Sequence, residues 1–456
     1  MARVDDLQKK YPGVPREVIV KWEALRNGIK DTGALDKVSI WTRGGSFQSR
    51  DMDVSIKEIA AKRPETVRQG YVMRPGVLYM KNAIGARVMR DSQSPYEIRD
   101  VGDGRFALFE GEERVEEVYF PPRKDWADEL VTSKGTPVTS LVSMDRRCFS
   151  IYPVRFCEYF TQGVQCKFCN YNSTYEDARS AGTAVPTAIN LDETVEAYKI
   201  IASSMRLVEG RFQMGGLKDR EQEGKVYIDF VEQIASGASY TPNMCISTQP
   251  MSRRTMQRLK DVGLACVNFN IEVWDRKMFA EVCPGKSNYN GYDRYLEAHL
   301  EAVEVFGTGN VGCNFVGGVS LMPENGHKTW QESRDSLIEG IRWLIKNGVF
   351  PGIFSLRLGL GSVYGDTKAN RAKLAPTEYY LDVGLAHHKA MSEFDLYQKL
   401  NKFLFCPMDC LAAFYVGELG MIELAGNPAN WLAGTIPNEW NWLSKFVASL
   451  ESPTLS

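Results

Sequence analysis

The chain is 456 residues long, with 44% hydrophobic and 25% charged residues, an ordinary globular composition. Lys plus Arg number 55 against 57 Asp plus Glu, a formal charge of -2, so nothing points to nucleic acid or an anionic membrane as partner. No apolar run reaches the roughly 18 residues of a membrane span, and the first residues, MARVDDLQKKYPGVPREV, are too polar for a secretory signal. Ten dilute cysteines fit a reducing, cytoplasmic compartment better than a disulfide-stapled scaffold.

Residues 15–30 read as a helix with Val18, Trp22, Leu25 and Ile29 on one stripe. From about 70 to 120 short alternating stretches predict a small β-rich unit, with a hairpin at Gly102-Asp103-Gly104. The segment PPRKDWADELVTSKGTP marks a boundary near 140, closing an N-terminal α+β extension over 1–140. Strands then alternate with helices. Strands are expected at 148–156, 207–214, 243–248, 264–271, 311–319 and 353–358. Among the helices, LDETVEAYKIIASSM opens at Asn190 with Glu193 as a candidate capping box. YDRYLEAHLEAVEVF stops at Gly307, and WQESRDSLIEGIRWLIKNG ends at Gly348.

This rhythm predicts an α/β fold, a partial or full TIM-type (β/α) barrel over 141–375, with chemistry at the C-terminal strand ends. An open doubly wound sheet is the alternative. Residues 376–456 read as a helical C-terminal region.

The strongest local signal is RFCEYFTQGVQCKFCNYN, directly after the first strand of the alternating region. Cys157, Cys166 and Cys169 form C-x8-C-x2-C, with no histidine nearby. Three thiolates suit a four-iron cluster with one iron left open to a substrate or cosubstrate. Structural zinc would need a fourth ligand. Cys148 is the candidate, but an extended strand would hold it ~30 Å from Cys157. Three unconnected buried cysteines are the remaining reading.

With Phe168 before the last cysteine, this loop resembles that of the radical S-adenosylmethionine (radical SAM) superfamily. The first spacing is eight residues where the superfamily usually has three. The resemblance covers about residues 148–365 and is greatest to the biotin synthase-like subgroup. It implies that Gly215 and Gly216, after the second strand, let backbone approach the amino group of the bound methionine moiety. Lys218 stands near where the superfamily often has Glu. Strand alternation puts Asn268, Asn270 and Glu272 on one face, where a ligand or a hydrogen-bond network must satisfy them. They resemble the Asn-x-Asn-x-acid pattern that binds the methionine and ribose parts in biotin synthase relatives. Gly317 and Gly318 match the fifth-strand glycines against which adenine packs.

Biotin synthase relatives with a sacrificial two-iron cluster hold it with cysteines on strands two, three and five. Cys245 and Cys313 match two of these positions, while the third is Gln213. Cys266 would lie deeper in the barrel. Cys406 and Cys410 share a face if helical, as candidate auxiliary ligands. His387-His388 read as a core and surface pair in preference to metal ligands, and Arg357 either as a bidentate partner for a substrate carboxylate or equally as an exposed residue beside Leu356 and Leu358.

The resemblance thus implies an oxygen-sensitive enzyme with a [4Fe-4S] cluster and S-adenosyl-L-methionine. An electron donor such as flavodoxin or ferredoxin would reduce the cluster, yielding a 5′-deoxyadenosyl radical that abstracts hydrogen from a small-molecule substrate. Rearrangement or bond cleavage is the favoured outcome. Sulfur insertion is the first alternative, and a zinc-stabilised binding protein is the alternative of another class.

Overall fold

The computed structural model describes residues 3–30, 32–37, 61, 67–68, 71–72, 77–80, 84–120, 129–145, 148–180, 186–204, 209–237, 240–396, 399–401 and 413–414. Cys406 and Cys410 lie outside the described residues.

Near the N-terminus, the helix Arg16–Asn27 buries Val18, Trp22 and Leu25, the expected stripe. Ile29 falls beyond the helix, buried through a backbone bridge to Arg90. Strands β1 (Val67–Arg68) and β2 (Tyr71–Val72) pair with each other, as do β3 (Val77–Tyr79) and β4 (Gly85–Arg87). A meander follows in β5 (Tyr96–Gly102), β6 (Arg105–Glu110) and β7 (Glu113–Val118). Its first hairpin turns through Gly102, Asp103 and Gly104, all with positive φ, where glycine carries no Cβ penalty.

The second half is built on one large sheet. Strands β9 (Cys148–Ile151), β10 (Glu209–Gln213), β11 (Asn243–Thr248), β12 (Cys266–Phe269), β13 (Val311–Gly317) and β14 (Val349–Ser355) lie side by side in chain order, all parallel. Strand β8 (Val142–Asp145) covers one edge and β15 (Ala413–Phe414) the other, both antiparallel. A doubly wound sheet would reverse its strand order midway, and this one does not. The linear order instead describes a partial TIM-type barrel left open between β8 and β15.

Several strands differ from their expected spans, for identifiable reasons. The first stops at Ile151, because Pro153 cannot donate to a ladder. The fourth narrows to Cys266–Phe269. The sixth begins earlier than expected, so that Pro351 lies inside β14 opposite Cys313. Proline is tolerated there because β15 pairs only with Ile353 and Phe354, leaving Pro351 on an edge. In the region read as helical, the helix Thr377–Glu393 forms, but Ala413 and Phe414 form a strand.

Side-chain caps fix the helix starts. Asp219, Ser252, Asp275 and Thr329 each accept a backbone N–H from the first turn, and Thr329 with Glu332 completes a capping box. At Asn190 only half the expected box forms. Asn190 accepts from Glu193 N at 2.9 Å, while the Glu193 carboxylate accepts from the Thr132 hydroxyl. Gly307 (φ 95°) ends one helix, and Gly348 (φ 81°) follows the end of another.

The N-terminal unit is tied to the chain just after β14. Trp22 stacks on Tyr380 with ring centroids 4.6 Å apart, and Arg26 donates to Ala375 O. Buried Glu23 accepts from the Tyr96 hydroxyl at 2.5 Å and from the Thr377 hydroxyl. Arg371 grips Asp91 with both terminal nitrogens, at 2.6 and 3.1 Å. Ala375 in turn touches the Cβ position of Gly318, just past β13. The N-terminal unit therefore sits beside the carboxyl ends of the barrel strands, where such folds carry their chemistry. Among the described residues, no helix is long and apolar enough to cross a membrane.

Candidate functional site

The cysteine loop hangs from the carboxyl end of β9. Asn172, itself buried, clasps Cys157 on both sides: Cys157 N donates to Asn172 Oδ1 at 2.8 Å and Asn172 Nδ2 to Cys157 O at 3.1 Å. A short 3-10 turn, Glu158–Gln162, ends at left-handed Gly163 (φ 66°) and turns the chain back. A second tight turn, closed by Cys169 N to Cys166 O at 2.9 Å, puts the last two cysteines together. Phe168 packs partly buried against the core.

All three thiols are half-buried. Burial above all, with a contribution from Cys166, pushes Cys157 up to about 11. Burial likewise raises Cys169, which feels both other cysteines. Cys157 and Cys169 thus both resist ionisation, and a bound cationic centre would relieve that. Among the described residues, no three His, Cys, Asp or Glu side chains converge tightly enough to hold a metal ion. The donor set, all sulfur, fits an iron–sulfur cluster, which spreads its thiolates over separate irons.

A fourth cysteine enters from elsewhere. Fully buried Cys283 faces Cys166, because Lys167 N donates to Val282 O at 2.9 Å and Gly285 N to Val164 O at 2.7 Å. Its hydrogen bond is the main influence holding the Cys166 thiol below its usual value, while burial holds Cys283 well above. Sequence reasoning passed over it; the only signal was a lone cysteine beside Pro284 and Gly285. Gly285 is needed there, since a Cβ would fall 2.6 Å from Val164 O and 2.7 Å from the Tyr159 ring.

Gly215 and Gly216 lie against this loop. A Cβ on Gly215 would fall 2.0 Å from Phe156 O, and one on Gly216 2.5 Å from Gln249 Nε2. Two carboxylates pin the segment that follows. Glu158 accepts from Lys218 N at 2.6 Å, and buried Glu223 from Leu217 N at 2.9 Å. Glu223 also accepts from the Thr248 hydroxyl, Gln249 and Arg220, while Tyr159 donates to Gln249 Oε1 at 2.6 Å. Burial raises the Glu223 carboxyl, and Arg220 works against that rise. Neither Glu158 nor Glu223 stands out in the sequence, since each acts through the fold.

The inner face of the sheet follows from register. Arg211, Cys245, Cys266 and, one step on, Gln213, Ser247 and Asn268 stand level on neighbouring strands. Asn268 Nδ2 approaches Cys245 Sγ at 3.4 Å, and Asn270 Nδ2 donates to Ser247 Oγ at 3.1 Å while Asn270 Oδ1 accepts from Asn314 N. A network within the protein thus satisfies these half-buried groups.

Glu272 departs from the expected alternation. Strand β12 ends at Phe269, and Glu272 takes a left-handed φ of 68° while bridging Phe315 of β13. Its carboxylate pairs with Lys286 Nζ at 2.7 Å, and the same ammonium donates to Asn270 O at 2.7 Å. Burial alone would depress Lys286, but Glu272, with Tyr295, Cys166 and Cys283, holds it well above its usual value. The pair therefore stands within electrostatic reach of the cysteine loop. A non-glycine residue held at positive φ is backbone strain of the kind concentrated at functional sites.

Other expected residues go elsewhere. Cys313 is level with Phe269, one residue out of phase with Asn268, so it points to the face opposite Cys245. Burial pushes its thiol up to about 12. The two cysteines cannot share a centre inside the barrel. Gly317 and Gly318 pack on Tyr379, Tyr380 and Ala375. His387 is buried and bonded to Pro351 O at 3.1 Å, a core residue as expected. Arg357 follows β14 and is part-buried, depressed to about 9 by burial and by Arg87.

No protein-family model matches the chain. A curated relative, bacteriochlorophyllide c C-7(1)-hydroxylase from Chlorobaculum limnaeum, is 24% identical over 238 residues, 48% of this chain and 55% of the relative. The chain thus spans about half the length of the curated relative it matches. Among solved structures, methylornithine synthase is 15% identical, covering 52% of this chain and 62% of that one at a TM-score of 0.37. A radical SAM methyltransferase from Sphaerobacter thermophilus is 11% identical, covering 85% and 91% at a TM-score of 0.37. The chain resembles radical SAM enzymes.

Proposed function

We propose that the chain is a radical SAM enzyme in which Cys157, Cys166 and Cys169 hold a [4Fe-4S] cluster. The observation that carries this reading is that one loop at the carboxyl end of the first parallel strand bears three half-buried thiols within electrostatic reach of one another. When bound, the reduced cluster and S-adenosylmethionine together supply a 5′-deoxyadenosyl radical that takes hydrogen from an unactivated carbon. The chain's own residues hold the cosubstrate and exclude water. Gly215 and Gly216 offer backbone, and Asn268, Asn270 and Glu272 offer polar groups, within the same strand-end region. The Glu272–Lys286 pair fixes the orientation of that carboxylate.

The substrate is a small molecule, and the electron comes from a donor of the flavodoxin or ferredoxin type. For the outcome, rearrangement or bond cleavage is favoured over sulfur insertion. The opposite facing of Cys245 and Cys313 speaks against a sacrificial cluster built on both. Anaerobic reconstitution, with iron, acid-labile sulfide and deoxyadenosine measured, tests the reading. Four irons, four sulfides and reductant-dependent deoxyadenosine are expected. Zinc without sulfide would replace the enzyme by a metal-stabilised binding protein.

A further inference from the structure

The short helix Pro284–Tyr289 and the residues before it are clamped to the cysteine loop at several points. Lys167 N donates to Val282 O at 2.9 Å and Gly285 N to Val164 O at 2.7 Å, so the two segments pass each other in opposite directions. One step inward from the first of these bonds stands Cys166 on the loop and Cys283 on the other segment. Around them, Lys167 Nζ pairs with Glu281 at 2.6 Å, and Tyr289 stacks on Tyr159 with ring centroids 5.3 Å apart. Lys286 is anchored in turn to Glu272 and to Asn270 O.

Residues opposed across such antiparallel backbone contacts have Cα atoms about 4.5–5.5 Å apart. That lies inside the roughly 4.4–6.8 Å that a disulfide spans. The two thiols share a hydrogen bond, whereas Cys157 and Cys169 feel Cys166 through charge. Their exposure differs. Cys166 is half-buried and open to a small oxidant, while Cys283 is fully buried and shielded from direct attack. An accessible thiol beside a buried resolving partner is the arrangement of reversible redox cysteines.

We propose that Cys166 and Cys283 are a redox modification site, forming a reversible disulfide in the iron-free protein with glutathione disulfide as oxidant. The bond withdraws Cys166 from metal binding. The disulfide stands on the geometry alone; its role as a gate on cluster assembly rests on Cys166 being a cluster ligand. In the first step the Cys166 sulfur attacks one sulfur of glutathione disulfide, whose S–S bond breaks. A mixed disulfide forms, and one glutathione leaves with the Cys166 proton. The Cys283 sulfur then attacks the Cys166 sulfur and displaces the second glutathione, which takes the Cys283 proton. Two protein thiols are oxidised, and one glutathione disulfide is reduced to two glutathiones.

The experiment uses the full chain, iron-free and reduced, then equilibrated with glutathione disulfide, denatured, alkylated and digested with trypsin without reductant. Cys157 and Cys166 fall in peptide 156–167, Cys169 in 168–179 and Cys283 in 278–286. Mass spectrometry should find 156–167 joined to 278–286, with fragmentation placing the bond on Cys166, and dithiothreitol should remove the link. In Cys283→Ser the link should vanish and glutathione should remain on Cys166. A link of 156–167 to 168–179 in its place, a bond on Cys157, or Cys283 left alkylated would overturn the disulfide. The gate is read by cluster transfer from a preloaded carrier protein, without free thiol or sulfide. The oxidised chain should lose the cluster uptake that the reduced chain shows and regain it after dithiothreitol. Equal uptake with the link intact overturns the gate. A reduced chain that takes up no cluster defeats the radical SAM reading, and the gate with it, while the mapped disulfide stands.

Discussion

Cys283 and Cys166 face each other because the backbone bonds Lys167 N to Val282 O and Gly285 N to Val164 O flank the pair and lock their segments together. A thiol in that position would donate to a sulfur proposed above as an iron ligand. Hydrogen bonds to cluster sulfurs raise the reduction potential. Cys283→Ala should therefore bind the normal amount of iron and shift the cluster potential to more negative values in an EPR-monitored redox titration. Iron lost in that variant would make Cys283 a ligand instead.

Replacing Cys157, Cys166 or Cys169 by Ala should abolish the four-iron cluster and deoxyadenosine formation. Cys148→Ala should not, as β9 starts at Cys148 and the loop leaves its other end. Mössbauer and iron analysis of each reconstituted variant decides this. A normal cluster in Cys157→Ala would point to a different first ligand.

Asn270→Ala should weaken S-adenosylmethionine binding by about 1–3 kcal/mol with iron content intact. Glu272→Ala should do the same and also lower folding stability by about 2 kcal/mol, since Lys286 is left mostly buried without its partner. The double variant Glu272→Ala/Lys286→Met should regain the stability but not the binding. Anaerobic titration and urea unfolding measure the two effects separately. Recovery of binding in the double variant would remove Glu272 from the cosubstrate site.

Burial depresses His299 to about 4 and His387 to about 3. Both therefore bind protons less readily folded than unfolded, where histidine titrates near ~6.5. Their stabilisation is complete above that value and is lost as pH falls, through about pH 4 for His299 and onward for His387. Each should contribute a slope of about 1.4 kcal/mol per pH unit in this window. Urea midpoints at a series of pH values should decline less steeply in His299→Leu than in wild type. Parallel curves would show that His299 does not titrate on unfolding.

Periodicity carried the barrel well. The six strands were legible because each is an apolar run of strand length bounded by Gly, Pro or polar residues, and the helices between them carry their own stripes. Boundaries failed where a single contact decides them, as at Pro351, readable only once β15 is seen to leave that part of β14 unpaired. At the site, the cysteine loop was legible by spacing. Cys283, Glu158, Glu223 and Lys286 were not, because each reaches the loop through tertiary contacts that leave no local pattern. Alternation misled at Glu272, where the strand had already ended, and pairing across strands placed Cys313 on the far face from Cys245.

The loop-to-loop contacts that bridge the start and end of the barrel also set an order of events in the cell. Asn170 and Leu360 are 190 residues apart, and Ser173 and Gly361 are 188 apart. At about 5–20 residues per second, a ribosome takes roughly 10 to 40 seconds to cover that interval. Throughout it the cysteines are already outside while the segment that shapes their loop has yet to be made. Under the proposed cluster, the finished loop is therefore available for metal only after the segment at 360–361 has emerged, and the nascent thiols would stand unshielded by it until then.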